Sequence, residues 1–373
     1  MFMIRSLFIG VLGGALVSLH AQTTQPNPIP ASKIAFDTSE GTPISLPSLM
    51  ITMEPVCYSS DSCAANFALL PATSTDAPAQ AAPFNPKDVT AYFDLSGKVH
   101  AIDPAALEDL SYVQILSATP TGNGVAILIH GASTEGDNAA RLVPKSGSEP
   151  PRSKVDWGYF VCFFDSDGKP QGIQRIDSRY KAARIAYLGA DRVLLLLFDQ
   201  VNEKAVLSIM KDDGQIVRIL DDEGSLPGTS ELAKGSAVRD GDLDVYKRLA
   251  AASELTGWQF GNAGGRLLLL KPGADAAIWS ISPGGEIRKV KLKLPPGVQV
   301  DSIVSSDHAW IVRSWVPPSS PGPAFQVDPE NGEVLRRIDT DPAPSSSILF
   351  ASQGTYYAFW WDKDQHPFIV KSK

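Results

Sequence analysis

The stretch Arg184–Leu220, RIAYLGADRVLLLLFDQVNEKAVLSIMKDDGQIVRIL, constrains the fold most, because its layout recurs along the chain. Three short apolar runs precede a tight Asp213-Gly214 turn, and a fourth run, Ile216–Leu220, alternates apolar with polar. Short runs punctuated this way read as one four-stranded antiparallel sheet. Val193–Phe198 is apolar without a break, which requires burial on both faces. Gln215 and Arg218 mark the last strand as half wet. A gradient from fully buried inner strands to a wetted outer strand fits a blade of a β-propeller.

The closing hairpin of this unit has counterparts in AYFDLSGKVHAI (91–102), VCFFDSDGKPQGIQRI (161–176), IWSISPGGEIRKVKL (278–292) and FQVDPENGEVLRRI (325–338). Each carries a glycine where the turn needs a backbone conformation that a Cβ disfavours. Five hairpins, including the one in the defining stretch, are preceded by another pair of short apolar runs. A last pair, Ile348–Ala351 and Tyr356–Trp361, ends the chain with Phe368–Lys371 and lacks a closing strand. The segment IAFDTSEGTPISL (34–46) has the opposite deficit, a hairpin with a turn at Glu40-Gly41 and no inner strands before it. If the two chain ends share one unit, a ring closes and no sheet edge is left to aggregate. The expected fold is therefore an all-β, six-bladed propeller with four-stranded antiparallel blades, seven blades being the alternative.

In strand order and hairpin turns, over nearly all of the chain beyond its first segment, the sequence resembles the broad class of six-bladed propellers found in exported proteins, the shape shared by NHL-repeat, TolB-like and SMP-30-like families. That resemblance implies either the binding of peptides or glycans or metal-dependent lactone and ester hydrolysis. No position matches a metal or catalytic motif of those families, so no residue role is carried over.

The first segment, MFMIRSLFIGVLGGALVSLHAQ, has a positive residue at Arg5, an apolar run from Leu7 to Leu19 and a small residue at Ala21. It reads as a secretory signal ending at 21, with a membrane anchor as the rival. A polar, proline-rich leader (22–32) and a single propeller domain (33–373) follow, with a helical insertion at about 221–257. An exported protein of this kind is expected to be periplasmic or secreted. The formal net charge of −8 becomes one unit more negative when Arg5 is removed. Such a surface repels phosphate backbones and anionic lipid heads, which argues against nucleic acid as a partner, and no later run is long enough to span a membrane. In an oxidising compartment, Cys57 and Cys63 are placed for a local disulfide across a hairpin mouth, whereas Cys162 sits inside an apolar strand as a buried thiol.

Chemistry is sparse at the level of motif. There is no G-x-S-x-G, H-E-x-x-H, P-loop or C-x-x-C, and nothing implies a cofactor. Asp240, Asp242 and Asp244 begin like a calcium loop, but Val245 and Ala251 occupy the positions of its glycine and bidentate glutamate. His130 closes an inner strand, as a structural residue or one lining the central channel. Connections at 71–87, 131–156, 221–257 and 316–323 map to one face of a propeller, and the short glycine turns to the other. Long loops on a rigid scaffold are where binding resides. Near that face lie Trp157, Tyr180, Trp258, Trp315 and Trp361, with Arg152 and Arg179 beside them, and His366 in WDKDQHP. Stacking aromatics with a few arginines suit a sugar, a peptide or an acidic ligand. Two readings stay open: a non-enzymatic scaffold binding a protein, peptide or carbohydrate, and a hydrolase or lyase whose polar residues converge on the channel.

Overall fold

The computed structural model describes residues 29–39, 41–43, 49–59, 62–69, 87–103, 107, 110–133, 156–189, 192–211, 215–220, 226–232, 243–316, 320–342, 347–361 and 367–373. The expected signal (1–21), most of the leader, most of the 71–87 and 131–156 connections, Arg152, His366, Asp240 and Asp242 lie outside these residues.

Two short strands, β1 (Ala31–Ala35) and β2 (Thr42–Pro43), precede a series of antiparallel sets. The first sheet is β3 (Leu49–Ser59), β4 (Ser62–Leu69), β5 (Lys87–Phe93) and β6 (Val99–Ile102). The second is β7 (Leu110–Thr121), β8 (Gly124–Ser133), β9 (Asp156–Asp165) and β10 (Pro170–Arg175). The third is the stretch that defined the pattern, β11 (Tyr180–Gly189), β12 (Arg192–Asp199), β13 (Lys204–Lys211) and β14 (Ile216–Leu220). Helices α1 (Thr229–Leu232) and α2 (Leu243–Leu255) follow. Next come β15 (Gln259–Ala263), β16 (Arg266–Lys271), β17 (Ala277–Ile281) and β18 (Ile287–Lys291), then β19 (Gln299–Ser306), β20 (Trp310–Val316), β21 (Ser320–Val327) and β22 (Val334–Asp341). The last set is β23 (Ile348–Ser352), β24 (Thr355–Trp361) and β25 (Pro367–Lys371). Repeated four-stranded antiparallel sheets of this kind make the fold propeller-like.

The burial gradient read from the sequence holds in the third sheet. Val193–Phe198 of β12 is buried throughout, whereas Val217, Arg218 and Ile219 of β14 are exposed. Of the expected turn glycines, Gly97, Gly168, Gly285 and Gly332 have positive φ, the conformation that penalises a Cβ.

First strands lie side by side: β3 beside β7, β7 beside β11, β11 beside β15, β15 beside β19, β19 beside β23, and β23 beside β3. Apolar clusters fill the seams between consecutive sheets. Leu128 and Val161 of the second sheet meet Ile185 and Leu195 of the third. The final strands place Leu349, Phe359 and Ile369 against Cys57, Ala65 and Phe93 of the first sheet, with Phe93 and Phe359 edge to face at 6.0 Å.

The N-terminal segment is not the expected hairpin. β1 runs parallel to β22 and adds a strand to that sheet's outer edge, while β2 pairs antiparallel with β25 and supplies the strand missing from the last set. The reason is that β22 offers a free row of backbone donors and acceptors, and β1 satisfies them instead of folding back on β2. Lys33 adds an exposed ion pair to Asp341 at 2.8 Å. Ala31 and Ser32, expected in the flexible leader, belong to β1.

The 316–323 connection is shorter than expected, because β20 and β21 continue to a Val316–Ser320 pair. Pro321 is tolerated there since β22 begins pairing with β21 only at Ala324, so its missing N–H breaks no bond on that side.

Candidate functional site

Antiparallel alternation sends the β8–β9, β10–β11, β12–β13 and β14–β15 connections to one end of the sheets. At that end of the seam between the second and third sheets, three rings form a shelf. His130 is opposite Tyr159 in the β8–β9 ladder, and Trp157, two residues before Tyr159, shares its face. His130 stacks on Trp157 at 5.4 Å and 29°, and lies 4.8 Å from Tyr159 at 34°. Tyr159 packs on the seam's apolar core, His130 is half-buried, and Trp157 is 47% exposed. The shelf thus runs from the core out to solvent.

Behind it, Arg175 of β10 places its guanidinium over Phe160, 5.8 Å from the ring centroid, and donates from Nη2 to the Trp157 carbonyl at 3.4 Å. Gly158 makes room, since a Cβ there would come within 3.1 Å of Arg175 Nε.

The third sheet supplies charge. Arg179 lies over the buried Tyr180 ring at 5.4 Å and donates to the Asp199 carboxylate from Nε (2.9 Å) and Nη2 (2.6 Å). Asp199 also accepts from the Val201 and Asn202 backbone N–H groups and from Asn202 Nδ2, which fixes the β12–β13 turn. Burial alone would raise the Asp199 carboxyl, but these hydrogen bonds outweigh it and hold the group at about 2.

Lys181 is the second residue of β11, which lies beside both β7 and β8. It is half-buried, and no carboxylate pairs with it among the described residues. Burial and the nearby charge of Arg248, on α2, push its ammonium below the usual lysine range. Burial and the charge of Lys181 likewise hold His130 below the usual imidazole range, so the ring is neutral at pH 7. Arg248 itself is 3.7 Å from Glu203.

The sequence-derived candidates therefore divide. Trp157, Arg179 and Tyr180 come together at the second–third seam. Trp258 is completely buried on the other side of the third sheet, stacked on Trp279 at 4.8 Å and 21° beneath Ala251 and Leu255 of α2, so it offers no surface to a ligand. Trp315 of β20 and Trp361 of β24 are partly exposed on other sheets, Trp361 lying 6.1 Å from Phe359. Tyr159, Lys181 and Arg248 were not singled out from the sequence. Alternation along β9 ties Tyr159 to Trp157 and is the signal available for it; nothing local points to the other two.

Cys57 and Cys63 are directly opposite each other on β3 and β4 and form a disulfide. Cys162 is a buried thiol that burial pushes up to about 12, well away from thiolate chemistry. Among the described residues no group of three or more His, Cys, Asp and Glu side chains is placed to hold a metal ion, and no helix is long and apolar enough to cross a membrane.

No family model matches the chain, and no curated protein matches it. Among solved structures, the chain is similar to a protein of unknown function from Dyadobacter fermentans, with 12% identity, TM-score 0.40, and coverage of 90% of this chain and 98% of that one. A protein of unknown function from Bacteroides caccae has 11% identity and TM-score 0.36, over 76% of this chain and 85% of that one. Dipeptidyl peptidase 4 from Porphyromonas gingivalis has 10% identity and TM-score 0.37 over 86% of this chain, which spans about half of the peptidase chain (48%).

Proposed function

We propose that this chain is an exported, non-enzymatic six-bladed β-propeller that binds a protein, peptide or carbohydrate partner through its long-loop face. In this reading residues 1–21 direct export to the periplasm or beyond, and 33–373 form one domain. Six blades are supported by the return of β23 to β3, by the seam between the last and first sheets, and by β2 completing the last set. The observation that carries the binding role is the shelf of His130, Tyr159 and solvent-exposed Trp157 at the end from which the long connections leave. Solvent-facing aromatic surface next to cationic groups is costly to maintain and serves recognition.

The test is to screen the processed protein on glycan and peptide arrays. Trp157→Ala should abolish whatever binding is found, while Lys169→Ala, in the exposed β9–β10 turn at the other end of the same sheet, should leave it intact. The reverse pattern overturns the assignment of the face. A stoichiometric ion removed by EDTA together with a hydrolytic activity overturns the non-enzymatic reading. N-terminal sequencing of exported protein should begin near Gln22.

A further inference from the structure

The opposite end of the second–third seam, where the short turns lie, holds a cleft of about 380 Å³, within the roughly 300–1,000 Å³ of small-molecule sites. It lies where the β7–β8 turn, the end of β9 and Gln171 of β10 meet β11 and β12 of the third sheet. Phe163 and Asp165 stand two residues apart on β9, so they share one face, about 6.6 Å apart along the strand. Across the seam are the buried Val193 of β12 and, paired with it in the ladder, Tyr187 of β11. The Tyr187 N–H donates to Thr119 Oγ1 at 3.0 Å, and its ring reaches the β7–β8 turn, where a Cβ on Gly122 would come within 3.2 Å of its hydroxyl oxygen. The cleft therefore presents two half-buried aromatic rings and one carboxylate, and none of its described lining residues is Lys, Arg or His.

The hydrogen bonds of Asp165 decide which ligand suits this lining. Its Oδ1 accepts from the backbone N–H groups of Asp167 (3.0 Å) and Lys169 (2.9 Å), and its Oδ2 accepts from Gln171 Nε2 (2.9 Å). A carboxylate has about four lone-pair sites, so its charge persists while its capacity for a ligand's N–H donors is nearly spent. A fully methylated ammonium carries positive charge and has no hydrogen bond to donate, and its methyl surface suits Phe163 and Val193. Seated beside Asp165, it can lie within about 6 Å of a ring, the range over which an aromatic quadrupole attracts a cation. An anion would meet a carboxylate and no counter-charge. We propose that this cleft is a second binding site, independent of the long-loop face, and that it takes a small quaternary ammonium compound, held by the rings of Phe163 and Tyr187 with Asp165 as its counter-charge.

Calorimetry and ligand-observed NMR on the full processed chain test this with tetramethylammonium, choline, ethanolamine and 3,3-dimethylbutan-1-ol, the uncharged isostere of choline. Choline or tetramethylammonium should bind, with ethanolamine and the alcohol each about tenfold weaker or more. Asp165→Asn keeps an acceptor for the turn N–H groups, and should weaken choline about tenfold while leaving the alcohol unchanged. Phe163→Leu and Tyr187→Leu should each weaken choline about fivefold, and Trp157→Ala, at the other end of the seam, should leave it unchanged. Equal binding of choline and the alcohol, insensitive to Asp165→Asn, overturns cation recognition. Tighter binding of ethanolamine than of choline overturns the quaternary assignment. Binding that survives Asp165→Asn and is lost in Trp157→Ala overturns the location, and no binding of any probe by protein with native near-ultraviolet dichroism overturns the site altogether.

Discussion

Closure of the ring is tested most sharply by two glycines that differ in one respect. Gly97, in the β5–β6 turn of the first sheet, has φ +86°, and a Cβ there would meet Thr42 Cγ2 at 2.6 Å and the Pro43 carbonyl at 2.7 Å. Those atoms belong to β2, the strand that completes the last set. Gly297 has φ +78° and nothing within 4 Å of the same position. Gly297→Ala therefore suffers only the left-handed penalty, about 1 kcal/mol. Gly97→Ala suffers the same penalty and must also displace β2, weakening its two-residue ladder to β25 and its seat against the first sheet, for a total of about 2–4 kcal/mol. The unfolding entropy is about 2.1 cal/mol/K per residue, so a chain of 373 residues has at most about 0.8 kcal/mol/K, and the expected losses in Tm are about 1–2 K for Gly297→Ala and 3–5 K for Gly97→Ala. Thr42→Ala in the Gly97→Ala background removes one clash and should recover part of the difference. Thermal unfolding followed by intrinsic fluorescence measures all three. Equal shifts for the two glycine variants would refute the placement of β2 between the first and last sheets, and with it the closure.

Trp258→Ala should cost about 3–5 kcal/mol in urea unfolding, as for other fully buried aromatics, whereas Trp157→Ala should cost under about 1 kcal/mol; similar costs would mean that the two rings have been wrongly sorted into core and surface. Asp199→Ala strands Arg179 and the turn N–H groups, and should destabilise by about 2–3 kcal/mol at pH 7. Because the folded-state pKa of Asp199 is depressed, its contribution is present above the unfolded value near 4 and is lost as pH falls towards about 2, so wild type and variant should converge in acid. The depressed pKa of His130 means that the unfolded chain takes up its proton first; stability should fall as pH drops through about 6.5, and His130→Gln should flatten that slope in a Tm–pH series. Cys57 and Cys63 close a loop only six residues apart, so Cys57→Ser with Cys63→Ser should lose at most about 2 kcal/mol and keep the fold by far-ultraviolet dichroism.

Much of the scaffold was legible because sheet signals are local. The unbroken Val193–Phe198 run, the alternation after Gln215 and the turn glycines each depend on neighbours a few residues away, and the paired cysteines stand across a single hairpin. The partners of β1 and β2 were not legible, because a short strand states that it needs an edge without stating which edge is free.

The candidate site divides in the same way. Trp157 and Trp258 look alike in sequence, each next to a strand start at the end of a long connection. Packing separates them: α2 folds over the third–fourth seam and buries Trp258 against Trp279, while Trp157, stacked on His130, stays 47% exposed. By itself the sequence determined repeated antiparallel sheets, because residues close in the chain decide strand and turn. Only the tertiary structure decided that Tyr159 of the β8–β9 shelf packs against the third sheet and that Arg248 of α2 comes near Lys181, because which side chains meet across a seam depends on how separate sheets dock, and no local periodicity encodes that.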